Sequence, residues 1–175
     1  MVVSDVEEDA FVAPDVPALV AALARAKAEA VASRLDPSDT LVVGCDSLLE
    51  LDGRPLGKPG SAPEAVRRWQ AMRGRTGHLH TGHHVIRLGA LPGTAAAVAT
   101  TEVRFADVDD DEIDAYVATG EPVKVAGAFT IDGLGGAYVT AVGGDPHNVV
   151  GISLPLLRDL FAQLGVRWHT LWTAT

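Results

Sequence analysis

The stretch Leu41-Val-Val-Gly-Cys-Asp46-Ser-Leu-Leu-Glu-Leu-Asp52-Gly53-Arg-Pro-Leu-Gly-Lys58-Pro59 decides how the chain is read. Leu41 to Cys45 is an apolar run without polar alternation, which predicts a fully buried strand. The run stops at Asp46, and a carboxylate at the carboxyl end of a sheet strand is well placed for chemistry. Asp52-Gly53, between two short apolar runs, is a strong hairpin signal. The return arm ends in Gly57-Lys58-Pro59, so the hairpin is expected to bring a lysine back near the strand end. A carboxylate with a lysine suits metal-assisted cleavage of a phosphate. The carboxylate holds a divalent metal or deprotonates water, and the lysine offsets phosphate charge.

Upstream, Asp15 and Pro17 suit the start of a helix running to about Leu35. Its apolar face reads Val20, Leu23, Ala24 and Val31, and Lys27 falls on the same stripe. That lysine either snorkels over apolar surface or is a second cation aimed at Asp46. The acidic run Glu7-Glu8-Asp9 is a solvated loop or the source of a second metal carboxylate. Downstream, Ser61 reads as the N-cap of a helix, Glu64 as its capping-box partner, and Gly74 as its end. Trp69 on the inner face of this helix reads first as core and second as a ligand contact. Strands are expected over His78 to Leu88, Ala95 to Phe105 and Ala137 to Val142. Asp109 caps a short helix through Val117, Ser153 to Leu164 is a last helix, and Val166, Trp168 and Leu171 suggest a closing strand. Strands and helices are interspersed without strict alternation, which favours an α/β (α+β) fold with a mixed sheet and flanking helices.

The bulk numbers bound the function. A chain of 175 residues can bury roughly 70% of its unfolded surface and needs no disulfide to fold. Cys45 is the single cysteine, in keeping with a reducing compartment. No apolar run approaches the ~20 residues that span a membrane. A net charge of −9 argues against long nucleic acids as partners but not against a small anion met by a few cations.

Two other chemistries are set aside. The glycines at 133, 135 and 136 precede a strand, whereas a dinucleotide-binding loop follows one. His78, His80 and His84 would share one strand face and could bind zinc, but no recognisable spacing supplies further ligands, so ordinary strand histidines are expected.

Several motifs in order resemble one family. Val43-Gly-Cys-Asp46-Ser followed by Leu51-Asp-Gly-Arg-Pro-Leu-Gly-Lys58-Pro resembles the G-A-D-T and D-G-x-x-L-G-K-P blocks of the Maf family of nucleoside-triphosphate pyrophosphatases. Ser4-Asp-Val-Glu-Glu8 is similar to its S-D-V-D-E segment, and Ala24-Arg-Ala-Lys27-Ala to its A-x-x-K-A helix. Gly74-Arg-Thr with Thr81-Gly, Ala126-Gly-Ala-Phe with Asp132-Gly-Leu-Gly-Gly, and Asn148-Val-Val-Gly-Ile-Ser-Leu-Pro-Leu resemble three further blocks.

The resemblance implies an ITPase/Maf-like fold, an elongated mixed sheet flanked by helices with two lobes around a cleft. It implies hydrolysis of nucleoside triphosphates, non-canonical ones included, to monophosphate and pyrophosphate, with Mg²⁺ or Mn²⁺. Asp46 would be the proton acceptor, Glu8 and Asp46 the metal carboxylates, and Lys27 and Lys58 the substrate-binding cations. It also implies a cytoplasmic protein, is compatible with a homodimer, and places base selection at positions that include Trp69 and Asp132. The family pattern begins with a strand and an S-x-S-P-R-R loop, and the 175 residues begin after them. The expectation is therefore one Maf-like domain over residues 1–175 without that strand and helix. The alternative is a catalytically impaired nucleotide-binding protein acting in cell-division regulation.

Overall fold

A computed structural model describes residues 2–36 and 38–172. The main elements in chain order are α1 (Val16–Ala32), β1 (Leu41–Leu51), β2 (Arg54–Leu56), α2 (Ala62–Met72), β3 (Thr76–Arg87), β4 (Gly93–Phe105), α3 (Asp110–Ala118), β5 (Val139–Gly143), α4 (Pro146–Val150) and α5 (Leu154–Gln163). The strands form one sheet in the order β2-β1-β3-β4-β5. Pairing is antiparallel between β1 and β2, with Leu49 opposite Leu56, and between β4 and β5, with Val103 opposite Val142. The chain divides into two compact units. The first comprises residues 1–46, 81–99 and 152–175, and the second residues 47–80 and 100–151.

In the first unit, α1 begins where expected. The Asp15 carboxylate accepts a hydrogen bond from the Ala18 amide at 2.7 Å, and Pro17 occupies the first turn, where no amide is needed. The buried face is Val16, Val20, Leu23, Ala24 and Ala28. Two glycines let this helix lie directly on the strands. A Cβ on Gly44 of β1 would stand 2.3 Å from the Ala24 carbonyl oxygen, and one on Gly82 of β3 would stand 2.2 Å from that of Val20. Any side chain at either position would push the helix off the sheet. A separate apolar cluster joins Val85, Ala95, Leu157, Leu160 and Phe161. His83 ties β3 to the start of α5, its Nε2 accepting the Ser153 amide at 2.8 Å.

The second unit is built around Trp69, which is fully buried. Its ring meets Phe105, Tyr116 and Tyr138 edge-on at 5.5–5.7 Å. The indole N–H donates to the Ala128 carbonyl at 2.8 Å, which satisfies the one polar group it carries inward. Trp69 is thus core, closed to any ligand by burial. At α3 the full reciprocal cap is present, with the Asp109 carboxylate on the Glu112 amide and the Glu112 carboxylate on the Asp109 amide.

Three local expectations need correction. β1 does not end at Asp46 but continues to Leu51, and its burial alternates instead of being continuous. Asp46 can sit mid-strand because a cation on α1 meets it there, so the backbone has no reason to turn. The α2 capping box is half formed. Ser61 accepts the Glu64 amide, but the Glu64 carboxylate is drawn to Arg67 and Arg68 instead of the cap. Finally, residues Trp168–Leu171 form a 3-10 turn and not a strand, with Trp168 against Phe161 at 5.6 Å. Val166 is partly buried against the same cluster.

Candidate active site

The packing of α1 on β1 builds the site. Lys27 lies between Ala24 and Ala28, the two alanines that touch Gly44. Asp46 is two residues beyond Gly44, on the same face of the strand. The Lys27 ammonium therefore reaches Asp46 Oδ1 at 2.5 Å, and it also meets Glu8 Oε1 at 2.7 Å. Glu8 opens a single 3-10 turn, Glu8–Ala10. The segment before it is pinned by Arg34, whose guanidinium donates to the Val3 and Ser4 carbonyls at 3.1 and 2.8 Å and to the Asp5 carboxylate at 3.2 Å.

The site is graded from inside to outside. Asp46 is 8% exposed, the Lys27 side chain 22% and the Glu8 side chain 54%. Burial alone would lower the Lys27 pKa, but the hydrogen bonds and charges of Asp46 and Glu8 outweigh it and hold the ammonium above the ordinary lysine value. Cys45, next to Asp46, is pushed up to about 11, first by burial and then by the Asp46 charge. It is a protonated thiol at neutral pH and supplies no thiolate nucleophile.

Three of the four expected site residues thus come together in the first unit. Lys58 belongs to the second unit. It follows β2, and the hairpin that delivers it has the expected turn, with Asp52 and Gly53 both in the left-handed region (φ 53° and 73°). Its side chain is exposed and makes no hydrogen bond or ion pair among the described residues. Asp132 is also exposed and accepts a hydrogen bond from the Thr130 hydroxyl.

Three of the four β3 histidines, His78, His80 and His83, have structural partners, and His84 buries an Nε2 without one among the described residues. His80 bridges Glu50 at 3.0 Å and Thr100 at 2.9 Å, and His78 stacks on it. His83 Nδ1 donates to the Thr81 carbonyl, which fixes Nε2 as the acceptor for Ser153. Among the described residues no group of three or more His, Cys, Asp or Glu side chains could hold a metal ion. Glu8 and Asp46 nonetheless converge on one point, and one or two carboxylates are the usual protein share of a Mg²⁺ site, with substrate phosphates and water completing it. Their point of convergence is the Lys27 ammonium, and carboxylate oxygens are the donor type that a hard divalent cation takes.

Sequence reasoning missed the two arginines that hold the backbone near these groups, Arg34 at residues 3–5 and Arg68 at Gly57. Each reaches this backbone through carbonyl oxygens, which leave no residue-type signal at the receiving position.

Fold and site together define an α/β protein with a buried carboxylate, a lysine clasped by two acidic side chains, and a second, exposed lysine after a tight hairpin. Known proteins give the family. Residues 1–164 match the model for Maf-like proteins, and the chain belongs to that family. It is 52% identical to the nucleoside triphosphate pyrophosphatase of Salinispora tropica, over 99% of this chain and 77% of that one. Proteins of the same name from Streptomyces coelicolor (52% identical, 98% of this chain and 83% of that one) and Mycobacterium marinum (49%, 99% and 87%) are similarly related.

Proposed function

We propose that this chain is a nucleoside-triphosphate pyrophosphatase, hydrolysing a nucleoside triphosphate to the monophosphate and pyrophosphate. The observation that carries the reading is the Glu8–Lys27–Asp46 clasp, found in a chain about half identical, over nearly its whole length, to proteins of that name.

Cleavage between the α and β phosphates adds water at the α phosphorus and releases pyrophosphate. Asp46 is the proton acceptor for that water. It is a buried carboxylate fixed by an ammonium at 2.5 Å, so its orientation is set before substrate arrives. Lys27 holds Asp46 and Glu8 at one point against their mutual repulsion. Lys58, exposed and unpaired among the described residues, meets phosphate charge, and its contribution is electrostatic. Glu8 and Asp46 are the residues that would hold a Mg²⁺ or Mn²⁺ ion, which when bound neutralises charge on phosphate oxygens. The same reading sets the protein in the cytoplasm. No helix among the described residues is long and apolar enough to cross a membrane.

The test is direct. The protein is incubated with a panel of canonical and modified nucleoside triphosphates plus Mg²⁺ or Mn²⁺, and products are separated. Monophosphate and pyrophosphate in equal amounts are expected from at least one member. Diphosphate and orthophosphate instead, or no product from any member, would overturn the reading.

A further inference from the structure

We infer that Arg68 is a positioning residue for Lys58, holding the phosphate-binding lysine through the carbonyl of Gly57. This rests on the pyrophosphatase reading above.

Arg68 lies on α2, and its side chain is only 15% exposed. Nε donates to Glu64 Oε1 at 2.9 Å, and Nη1 makes a short hydrogen bond to the Gly57 carbonyl oxygen. Gly57 immediately precedes Lys58. The same carbonyl accepts a second hydrogen bond, from the Gly127 amide at 3.0 Å. Gly127 is itself confined. Its φ is +67°, and a Cβ there would stand 2.7 Å from the Leu49 Cβ. Two donors from different elements, one a largely buried guanidinium, therefore converge on a single peptide oxygen.

Gly57 itself adds no side chain to the core, so what the two donors fix is its peptide. Its consequence is local. The peptide joining Gly57 to Lys58 is held in one orientation, and Pro59 restricts the backbone of Lys58 on the other side. An otherwise unpartnered lysine on a loop would sample many directions and lose entropy on meeting a phosphate. With its backbone fixed on both sides, Lys58 arrives preorganised. Arg67, one residue away, also pairs with Glu64 but makes no hydrogen bond to Gly57 among the described residues.

Arg68→Ala is expected to raise KM for the nucleoside triphosphate roughly tenfold, the scale of losing a charge-assisted hydrogen bond, with kcat changed much less. Lys58→Ala should raise KM at least as much. The double variant should be no worse than Lys58→Ala alone, because Arg68 acts only through Lys58. Arg67→Ala, which breaks an exposed ion pair, should leave KM unchanged. Arg68→Lys is measured in parallel. It keeps the stem and charge, but a single ammonium cannot serve both Glu64 and Gly57, so a similar rise in KM is expected.

A KM for Arg68→Ala equal to that for Arg67→Ala would overturn the inference. So would an effect that multiplies with that of Lys58→Ala, and so would loss of the fold in both Arg68 variants. Failure of the wild type to hydrolyse any triphosphate would instead break the functional reading, so the two outcomes are distinct.

Discussion

The two lysines expected to bind substrate, one in each unit, sit in opposite environments. Lys27 is half-buried on a helix, with two carboxylates on one ammonium. Lys58 is exposed on a loop, with no partner among the described residues. A paired cation has its charge answered within the protein, so its work is to organise the carboxylates that answer it. An unpaired cation keeps its charge for an incoming anion. On the proposed reading the same residue type serves catalysis in one place and binding in the other, and the two roles should separate kinetically.

The largest effect should come from the group that the paired lysine orients. Asp46→Asn is isosteric but cannot accept a proton from water. It is expected to lower kcat by roughly 10²–10⁴, the usual worth of a general base, with the protein still folded. Turnover close to that of the wild type would remove Asp46 from the role of proton acceptor.

Lys27→Met comes next, and it should affect stability as well as rate. It leaves Asp46 and Glu8 facing one another without the ammonium, and breaking a mostly buried pair from one side costs about 2–4 kcal/mol. Denaturant unfolding would measure this. The pH dependence has a definite sign. The folded pKa of Lys27 lies above its ordinary value, after the two carboxylates outweigh burial. The stabilisation is thus fully present below the unfolded pKa of about 10.4 and is lost as pH rises through the folded value. The difference between wild type and Lys27→Met should stay constant across neutral pH and shrink only in strong alkali. A gap that closes near neutrality would show that Lys27 is not the group held.

How much of this contrast was legible in the sequence differs between its two sides. The hairpin before Lys58 was readable because Asp52-Gly53 is local turn chemistry, and both residues adopt the left-handed backbone it calls for. Helix α1 was readable from Asp15, Pro17 and its apolar stripe. Lys27 on that stripe was ambiguous, since a snorkelling lysine and an ion-paired one share the same spacing. The deciding fact is non-local. Gly44 and Gly82 admit the helix backbone to the sheet, and this lets the ammonium reach Asp46. The same non-local pairing explains why β1 runs past Asp46, where its sequence suggests an end. A carboxylate in an apolar run reads as an end until its partner is seen. The C-terminal turn was misread because Trp168 and Leu171, three apart, fit a 3-10 turn as well as a strand over so few residues. The hold of Arg68 on Gly57 left no trace at all, because a carbonyl acceptor belongs to every residue type.

Lys58→Ala should leave kcat nearly intact and raise KM by roughly tenfold or more. Its effect should also depend on salt more strongly than that of Lys27→Met, because an exposed charge is screened and a half-buried pair is not. Equal salt sensitivity in the two variants would break the comparison.

The smallest expected effect tests the pairing rule on a carboxylate far from either lysine in sequence. Glu121 accepts the Leu134 and Gly135 amides at 3.0 and 2.9 Å and the Tyr116 hydroxyl at 2.8 Å. It is a carboxylate satisfied wholly by neutral donors, where Asp46 is met by an ammonium. Burial works to raise its pKa, but the two amides and then the hydroxyl outweigh it and leave the carboxyl below its usual value. Its contribution to stability is therefore present above the unfolded glutamate pKa of about 4.3 and disappears as pH falls through the folded value. Glu121→Gln keeps one acceptor oxygen and should unfold slightly earlier than wild type at neutral pH. The two should converge in acid. Thermal unfolding from neutral pH into the acid range measures this directly, and a gap that widens in acid would show that the charged form of Glu121 is not what the two amides hold.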